Sequence, residues 1–393
     1  MAALLTVTEA QARVLAAATV LPSELVPLAR AAGRVTSSPA LARVDLPPFA
    51  SSAMDGFAVR AADTPGTLAV VDEAAAGSPS QRTLAAGEAI AISTGGVVPD
   101  GADAVVPIEN VVQSGNSVAA EEVGAGAHVR PRAGDVGTGD PVIAAGVRLG
   151  PAQLGALAAA GVAEVECTRR PRVAVLATGT ELVTPGTPLR PGQVYEANAL
   201  MLTAALVSVG ADVEELPPAA DDEASHRAAL ERGLAADVLV TSGGVSVGPH
   251  DLVRRVEAEL GVEEVFWQVA MRPGKPVAFG VRGPTLVFGL PGNPVSSLVG
   301  CEVFVKPAVR ALQGLADPLP VFESGRLASP IRRNPARDDF VRAVVSAGSV
   351  LMPLAGQESH MIVHAAAANA LVYVERGEGE VSAGADVRWL PLG

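Results

Sequence analysis

The sequence predicts an α/β plus all-β, multidomain protein: a central, mostly parallel α/β sheet domain with a β lid domain and a C-terminal β-barrel domain. Three observations carry this expectation. Between Arg172 and Leu312 short apolar runs alternate with helical stretches, which calls for a parallel sheet with right-handed crossovers. From Phe57 to about Ile143, β-type runs are broken at short intervals by Gly/Pro/Asp clusters, as in a small all-β domain. After Pro318 β-type text returns, as a second small barrel or sandwich. The expected division is residues 1–50 with 141–168 as a helical connector, 51–140 as lid, 169–317 as α/β domain and 318–393 as C-terminal β domain.

Taken in order, Thr6–Ala18 has helical spacing with Thr8 as N-cap, and Ser23–Ala32 reads as a second helical piece stopping at Gly33. Val35–Phe49 is Pro-rich and extended. In Ser51–Val59 the pair Asp55-Gly56 reads as a tight turn between strands. Strands are expected at Leu68–Val71, Ala89–Ile92, Ala104–Ile108 and Ser117–Ala119, with a hairpin near Asn110–Gly115. A helix should begin at Pro151 and end at Gly161. The α/β text then predicts strands at Arg172–Leu176, Val213–Leu216, Val238–Thr241, Glu264–Val269, Val277–Val281 and Thr285–Leu290. Helices are expected at Glu196–Val209, Asp221–Leu234, Leu252–Leu260 and Val295–Val309. The last β region has expected strands from Phe322 to Leu390, interrupted by a helix around His360–Ala367.

Composition narrows the function classes. At 393 residues and 49% apolar content the chain can bury ample core, which excludes a disordered protein. A net charge of −13 argues against a nucleic-acid binder, since no broad basic face can release counterions. The two cysteines, Cys167 and Cys301, are isolated in apolar text and suggest neither a disulfide framework nor a zinc site. Met1–Ala10 has no basic n-region and carries Glu9; the uncharged Gly283–Cys301 stretch is broken by Pro284, Pro291 and Pro294. A cytoplasmic protein, with neither membrane nor nucleic acid as partner, is therefore expected.

Three strand-to-helix turns carry the chemistry. They are Thr178-Gly179-Thr180-Glu181, Thr241–Gly248, and Leu290-Pro291-Gly292-Asn293-Pro294-Val295-Ser296. In a parallel sheet all three lie at the carboxyl edge, where ligands bind. Gly243 and Gly244 remove Cβ atoms that would hold a phosphate away, and Ser242 and Ser246 add hydroxyls, so the loop suits an anion. Neither G-x-G-x-x-G nor a Walker motif is present. Glu181, Asp221, Asp222 and Asp251 stand at the same turns, and carboxylates beside phosphates suit Mg²⁺. Asp222 reads as a helix N-cap; Glu181 reads either as a turn residue or as a ligand. Met271-Arg272-Pro273-Gly274-Lys275-Pro276 is a conformationally restricted cationic turn that suits an oxyanion or diphosphate. His360 and His364 share a helical spacing, but without H-E-x-x-H they read as a helix face. No G-x-S-x-G supports Ser/His/Asp catalysis.

SSAMDGFAV, STGGVVPDGAD, VRPRAGDV, ATGTEL, DVLVTSGGVSVGPHD, MRPGKPVAFG and GLPGNPVSS resemble, in order and spacing, the molybdopterin molybdenumtransferases, the family that includes the gephyrin E domain. The resemblance runs from about Thr8 to Leu392. It implies a homodimer in which the lid facing the α/β domain comes from the partner subunit. It also implies a reaction: adenylylated molybdopterin and molybdate give molybdenum cofactor and AMP, with Mg²⁺ required. Carried over by motif, Asp55, Thr94 and Asp135 are lid residues of the site. Glu181, Asp221, Ser242, Gly243, Gly244 and Asp251 serve nucleotide, pterin phosphate and metal, with Glu181, Asp221 and Asp251 as the Mg²⁺ set. Lys275 and Pro276 mark the molybdate position, joined by Arg342 and Ser359 from the tail domain. Thr178, Gly179, Ser246, Arg272 and Pro291-Gly292-Asn293-Pro294 complete the expected ligand-binding set. Departures are Arg272 where many relatives carry Lys, Phe57 where many carry Tyr, and Gln357-Glu358-Ser359-His360 in place of a small-residue turn. Competing readings are a gephyrin-like non-catalytic scaffold and a phosphotransferase or nucleotide hydrolase using the same pocket; the missing Walker lysine speaks against the latter.

Overall fold

The computed structural model describes residues 4–219, 223–244 and 252–392. The chain forms two compact units, one of residues 25–32 and 36–167, the other of residues 1–24, 33–35 and 168–393.

In the smaller unit a six-stranded sheet has the order Ala104–Pro107, Gly56–Val59, Glu88–Ile92, Gly66–Ala74, Ser117–Ala120, Val111–Ser114. Gly56 is not a turn residue. It opens a strand pressed against its neighbour, and a Cβ there would lie 2.1 Å from the Val106 carbonyl oxygen. Close backbone approach, not turn geometry, demands this glycine. The segment Ser23–Ala32 also departs from expectation. Ser23–Pro27 is a strand and Leu28–Arg30 a single 3₁₀ turn. Pro27 lacks the N–H that a helix would need at that point.

In the larger unit, a six-stranded sheet runs Asp212–Ala219, Arg172–Thr178, Val238–Ser242, Thr285–Leu290, Ala278–Arg282, Glu263–Phe266. The first four strands are parallel, and the last two join antiparallel. Alternate residues bury both faces. Val173, Val175, Val238 and Val240 pack with Leu202, Leu206, Val295 and Val299 on one side. Ala174, Leu176 and Leu239 pack with Leu230, Leu234 and Val256 on the other. Each such Val or Leu side chain withdrawn from water contributes about 1.5–3 kcal/mol, so the strand ends sit on a rigid base.

The helix expected over Val295–Val309 is a composite: α from Pro294 to Gly300, π over Cys301–Val305, α again to Leu312. Pro307 has no N–H to give, and the Val303 carbonyl instead accepts from the Gln11 side-chain amide at 3.0 Å. The N-terminal helix Val7–Ala17 is capped by Thr6 rather than Thr8. The Glu9 amide donates to Thr6 Oγ1 at 3.1 Å, and the Thr6 amide donates to the Glu9 carboxylate at 2.8 Å, a capping box.

Beyond it, Asp338–Ser346, Val350–Pro353, Glu323–Leu327, Asp386–Pro391 and Ala370–Val374 pair in sequence, and the last returns to the first, closing a five-stranded barrel. The short strand Met271–Arg272 adds to this barrel, parallel to Asp338–Ser346. Among the described residues no helix is long and apolar enough to cross a membrane.

Candidate active site

The carboxyl ends of three adjacent parallel strands open into one cleft of about 850 Å³, lined by Thr178 and Glu181, by Gly243 and Gly244, and by Pro291 through Pro294. The polypeptide folds this way for local reasons. Gly179 has φ +149°, and a Cβ there would lie 2.5 Å from the Glu181 carboxylate, so glycine lets that acid fold back over the turn. Gly243 has φ +98°, a backbone conformation that L side chains rarely adopt, and a Cβ would come within 2.7 Å of the Thr178 carbonyl and hydroxyl oxygens. The Gly243 amide donates to the Leu290 carbonyl at 3.0 Å, locking the second turn onto the third.

Asn198, on the first turn of the helix Asn198–Val207, braces all of this. Its Nδ2 donates to Ser242 Oγ at 2.9 Å and to the Gly292 carbonyl at 2.7 Å. Ser242 is buried, and its hydroxyl also lies near the Pro291 carbonyl and Ser297 Oγ, both at 3.4 Å. The hydroxyl expected to face a ligand is spent holding turns together.

A second cleft of about 620 Å³ adjoins the first and shares Lys275, Pro276, Pro291, Asn293 and His360 with it. Arg272, Arg337 and Ser359 line its wall. Lys275 is one of only two lysines in the chain, and among the described residues its ammonium has no carboxylate within ion-pair distance. The other, Lys306, is buried against Glu302. In a protein that otherwise uses arginine, a compact strongly hydrated cation is kept at the junction of the two clefts. Arg272 is half exposed and pairs with the buried carboxylate of Asp339. Burial pushes the Asp339 carboxyl above its ordinary value against the opposing pull of Arg272.

Arg342 is not where the resemblance implied. It is 1% exposed, and its guanidinium donates to the carbonyls of Met361 (2.8 Å), Gly356 (2.5 Å) and Glu358 (3.1 Å). A fork committed to three backbone oxygens supports a loop and is not presented to an oxyanion. That loop carries Ser359, whose hydroxyl accepts from Asn293 Nδ2 at 2.9 Å and whose carbonyl accepts from the Val295 amide at 3.1 Å. His360 belongs to the same loop, ahead of the helix Ile362–Ala366, and lines both clefts instead of a helix face.

Asp55, Thr94 and Asp135 belong to the smaller unit. The Thr94 amide donates to Asp55 Oδ1 at 2.6 Å, which holds the Asp55 carboxyl below its usual range. Asp135 is exposed on a loop whose backbone is pinned to Leu46: the Asp135 and Val136 amides both donate to the Leu46 carbonyl. Neighbouring Asp45 accepts from the Thr138 amide (2.8 Å) and hydroxyl (2.7 Å) and from Arg132 (2.5 Å), and its carboxyl falls to about 2. Asp221, Ser246 and Asp251 lie outside the described residues. Among the described residues no cluster of three or more His, Cys, Asp or Glu could by itself hold a metal.

Reasoning from sequence missed Asn198, Tyr195, Trp267 and Arg337. Asn198 and Arg337 carry no motif. The aromatic pair had a signal, since the chain has only two tryptophans and two tyrosines.

A doubly buried α/β sheet with a cleft at its parallel strand ends, glycine turns there and an adjoining cleft walled by cationic side chains define the class: a multidomain α/β protein with a ligand-sized site at the carboxyl edge of its sheet. Comparison with known proteins agrees. Residues 5–161 match the MoeA N-terminal region (domain I and II), 174–311 a "Probable molybdopterin binding domain", and 324–392 the MoeA C-terminal region (domain IV). Molybdopterin molybdenumtransferase 2 of Mycobacterium tuberculosis is 40% identical over 381 residues, covering 92% of this chain and 93% of that one. The Haemophilus influenzae molybdopterin molybdenumtransferase is 35% identical over 380 residues, covering 94% of each. A crystal structure of the molybdopterin biosynthesis MoeA protein from Pyrococcus horikoshii superposes with a TM-score of 0.83 at 31% identity, covering 99% of both chains. The chain belongs to the molybdopterin molybdenumtransferase (MoeA) family.

Proposed function

We propose that this chain inserts molybdenum from molybdate into adenylylated molybdopterin and releases AMP. The observation that carries this reading is the junction of the two clefts at Lys275 and Pro276. One cleft has room and glycine-lined backbone for a pterin phosphate joined to a nucleotide. The other is walled by Arg272 and Arg337, and Lys275 lines both. A small dianion in the second cleft would lie next to the linkage that must break in the first. The family membership supports the same chemistry.

No protein nucleophile is required. Cationic and N–H groups that meet the phosphoanhydride lower the cost of charge developing on the departing phosphate, while Lys275 and Arg272 keep molybdate close to the dithiolene. Arg342 acts at one remove, by fixing the loop that presents Ser359 and His360. Mg²⁺ fits the donor chemistry: Glu181 offers hard carboxylate oxygens to the cleft, and this cation is ordinarily held by one or two carboxylates together with substrate phosphates. Glu181 would hold it, with Asp221 and Asp251 as further carboxylates, and its charge would polarise the phosphoanhydride.

On this reading the protein works in the cytoplasm as a homodimer. Residues 51–140 form the lid that brings Asp55, Thr94 and Asp135, residues 169–317 bind the pterin nucleotide, residues 318–393 complete the oxyanion side, and residues 1–50 with 141–168 connect them. Purified protein incubated with adenylylated molybdopterin, Mg²⁺ and molybdate should release AMP and form molybdenum cofactor. AMP release that is equally fast without molybdate would replace this reading with a hydrolase, and binding without release would replace it with a scaffold.

A further inference from the structure

The main cleft holds two aromatic side chains for which phosphate and metal chemistry has no use. Trp267 and Tyr195 both line it. The other tryptophan and tyrosine are structural: Trp389 is buried in the barrel, and Tyr373 packs between Phe322 and Phe340 at 5.7 and 5.4 Å. Half of the chain's Trp and Tyr residues therefore lie in one ligand cleft.

Both rings are held in place. The Arg254 guanidinium carbon sits 4.4 Å from the Trp267 ring centroid, and Glu264 holds that guanidinium at 2.6 Å. Arg254 lines a separate cavity together with Glu264 and not the main cleft, so it backs the indole without itself occupying the cleft. Such a backing orients the ring plane before anything binds. Tyr195 is oriented through its hydroxyl, which donates to the Thr187 carbonyl at 2.9 Å. Side chains with two torsions, already fixed, lose little entropy when a flat ligand stacks on them.

We propose that Trp267 and Tyr195 form a stacking subsite for a planar, nitrogen-rich heterocycle of the substrate, either its nucleobase or its pterin. This rests on the reading of the cleft as a site for an adenylylated pterin. Stacking of a base on an aromatic ring is sequence-tolerant and is lost on truncation to alanine, with a cost equivalent to about tenfold or more in Kd. Phenylalanine keeps a π-face and alanine does not, so the two variants separate stacking from packing.

The test is calorimetric binding of three ligands to the full chain in Mg²⁺ buffer: AMP, a monophosphorylated pterin, and ribose 5-phosphate as the ringless control. Wild type, Trp267→Ala, Trp267→Phe and Tyr195→Phe are compared, with unfolding midpoints confirming the fold. The expected result is that Trp267→Ala raises Kd about tenfold for AMP or for the pterin, while Trp267→Phe and Tyr195→Phe stay within about threefold. Ribose 5-phosphate should bind all four alike. Whichever ring ligand responds identifies the ring that stacks. The proposal is overturned if Trp267→Ala binds both ring ligands as wild type does, if it loses ribose 5-phosphate equally, or if wild type itself shows no preference for a ring. Ring-dependent binding without AMP release from the full substrate would leave the subsite standing and sink the transferase reading instead.

Discussion

Arg272 and Asp339 face each other twice: their backbones pair in register across two parallel strands, and their side chains form an ion pair whose carboxylate is buried. The cationic turn is thereby fastened to the barrel, and Arg272 reaches the second cleft from an anchored base. Among the described residues Asp339 Oδ1 has no hydrogen-bond partner, so Arg272 supplies the compensation for this buried acid.

Asp339→Asn should therefore free Arg272 and weaken oxyanion binding. Charge-assisted hydrogen bonds contribute about 1.5–3 kcal/mol, so kcat/KM should fall roughly ten- to hundredfold, mainly through KM for molybdate. The acid side of the profile should change too. Because its folded pKa is raised, Asp339 takes up a proton earlier on acidification than an ordinary aspartate, and the pair opens as pH falls. Wild type should lose molybdate affinity in that window while Asp339→Asn stays flat. An unchanged KM for molybdate in the variant would remove Asp339 from the site.

Arg342→Lys keeps the charge and loses the fork that holds Met361, Gly356 and Glu358. A residue acting by charge at the cleft would tolerate this change, whereas one that shapes a loop would not. The unfolding midpoint should drop by several degrees, consistent with two or more lost bonds at about 1 kcal/mol each, and activity should fall at least tenfold. Near-wild-type turnover would return Arg342 to a direct electrostatic role.

Gly243→Ala and Gly292→Ala should behave oppositely although both glycines line the main cleft. At Gly243 a methyl meets Thr178 oxygens at 2.7 Å in a positive-φ backbone, and the variant should lose about 2 kcal/mol or more and all activity. At Gly292 the nearest neighbour among the described residues is the Gly243 Cα at 3.8 Å, so the variant should fold with nearly unchanged stability. Urea titration of both distinguishes them, and equal destabilisation would contradict the geometry.

Asp45 gives a pH test in the smaller unit. Its carboxyl is drawn down to about 2 first by the Thr138 amide, then by the Thr138 hydroxyl and Arg132. A group with a lowered folded pKa stabilises the fold above its unfolded value of about 3.9, and that contribution disappears as pH falls through about 2. Asp45→Asn should therefore be less stable than wild type at pH 7, with the gap closing towards pH 2. On the proposed function activity should fall as well, because Asp45 holds Arg132 and Thr138, on either side of Asp135. A gap independent of pH would assign the effect to packing.

Much of this protein was legible in its residues. Strand and helix periods located the α/β core because both faces of that sheet are buried and each must be apolar. The glycine-rich strand ends, Glu181 and the Lys275-Pro276 turn were legible because local backbone geometry and uncommon charge leave their mark on sequence. Thr6 in place of Thr8 was equally legible, since Thr6-x-x-Glu9 spells a capping box. The strand at Ser23–Pro27 and the π turn before Pro307 were decided by which hydrogen bonds the packed chain could complete. Asn198, the Arg272–Asp339 pair, the burial of Arg342 and the backing of Trp267 by Arg254 were decided the same way. Their partners are distant in sequence, and an arginine destined for solvent is spelled like one destined for the core. Only the folded chain determines whether such a group meets a carboxylate, a ring or three carbonyls, since the desolvation it must offset depends on everything packed around it.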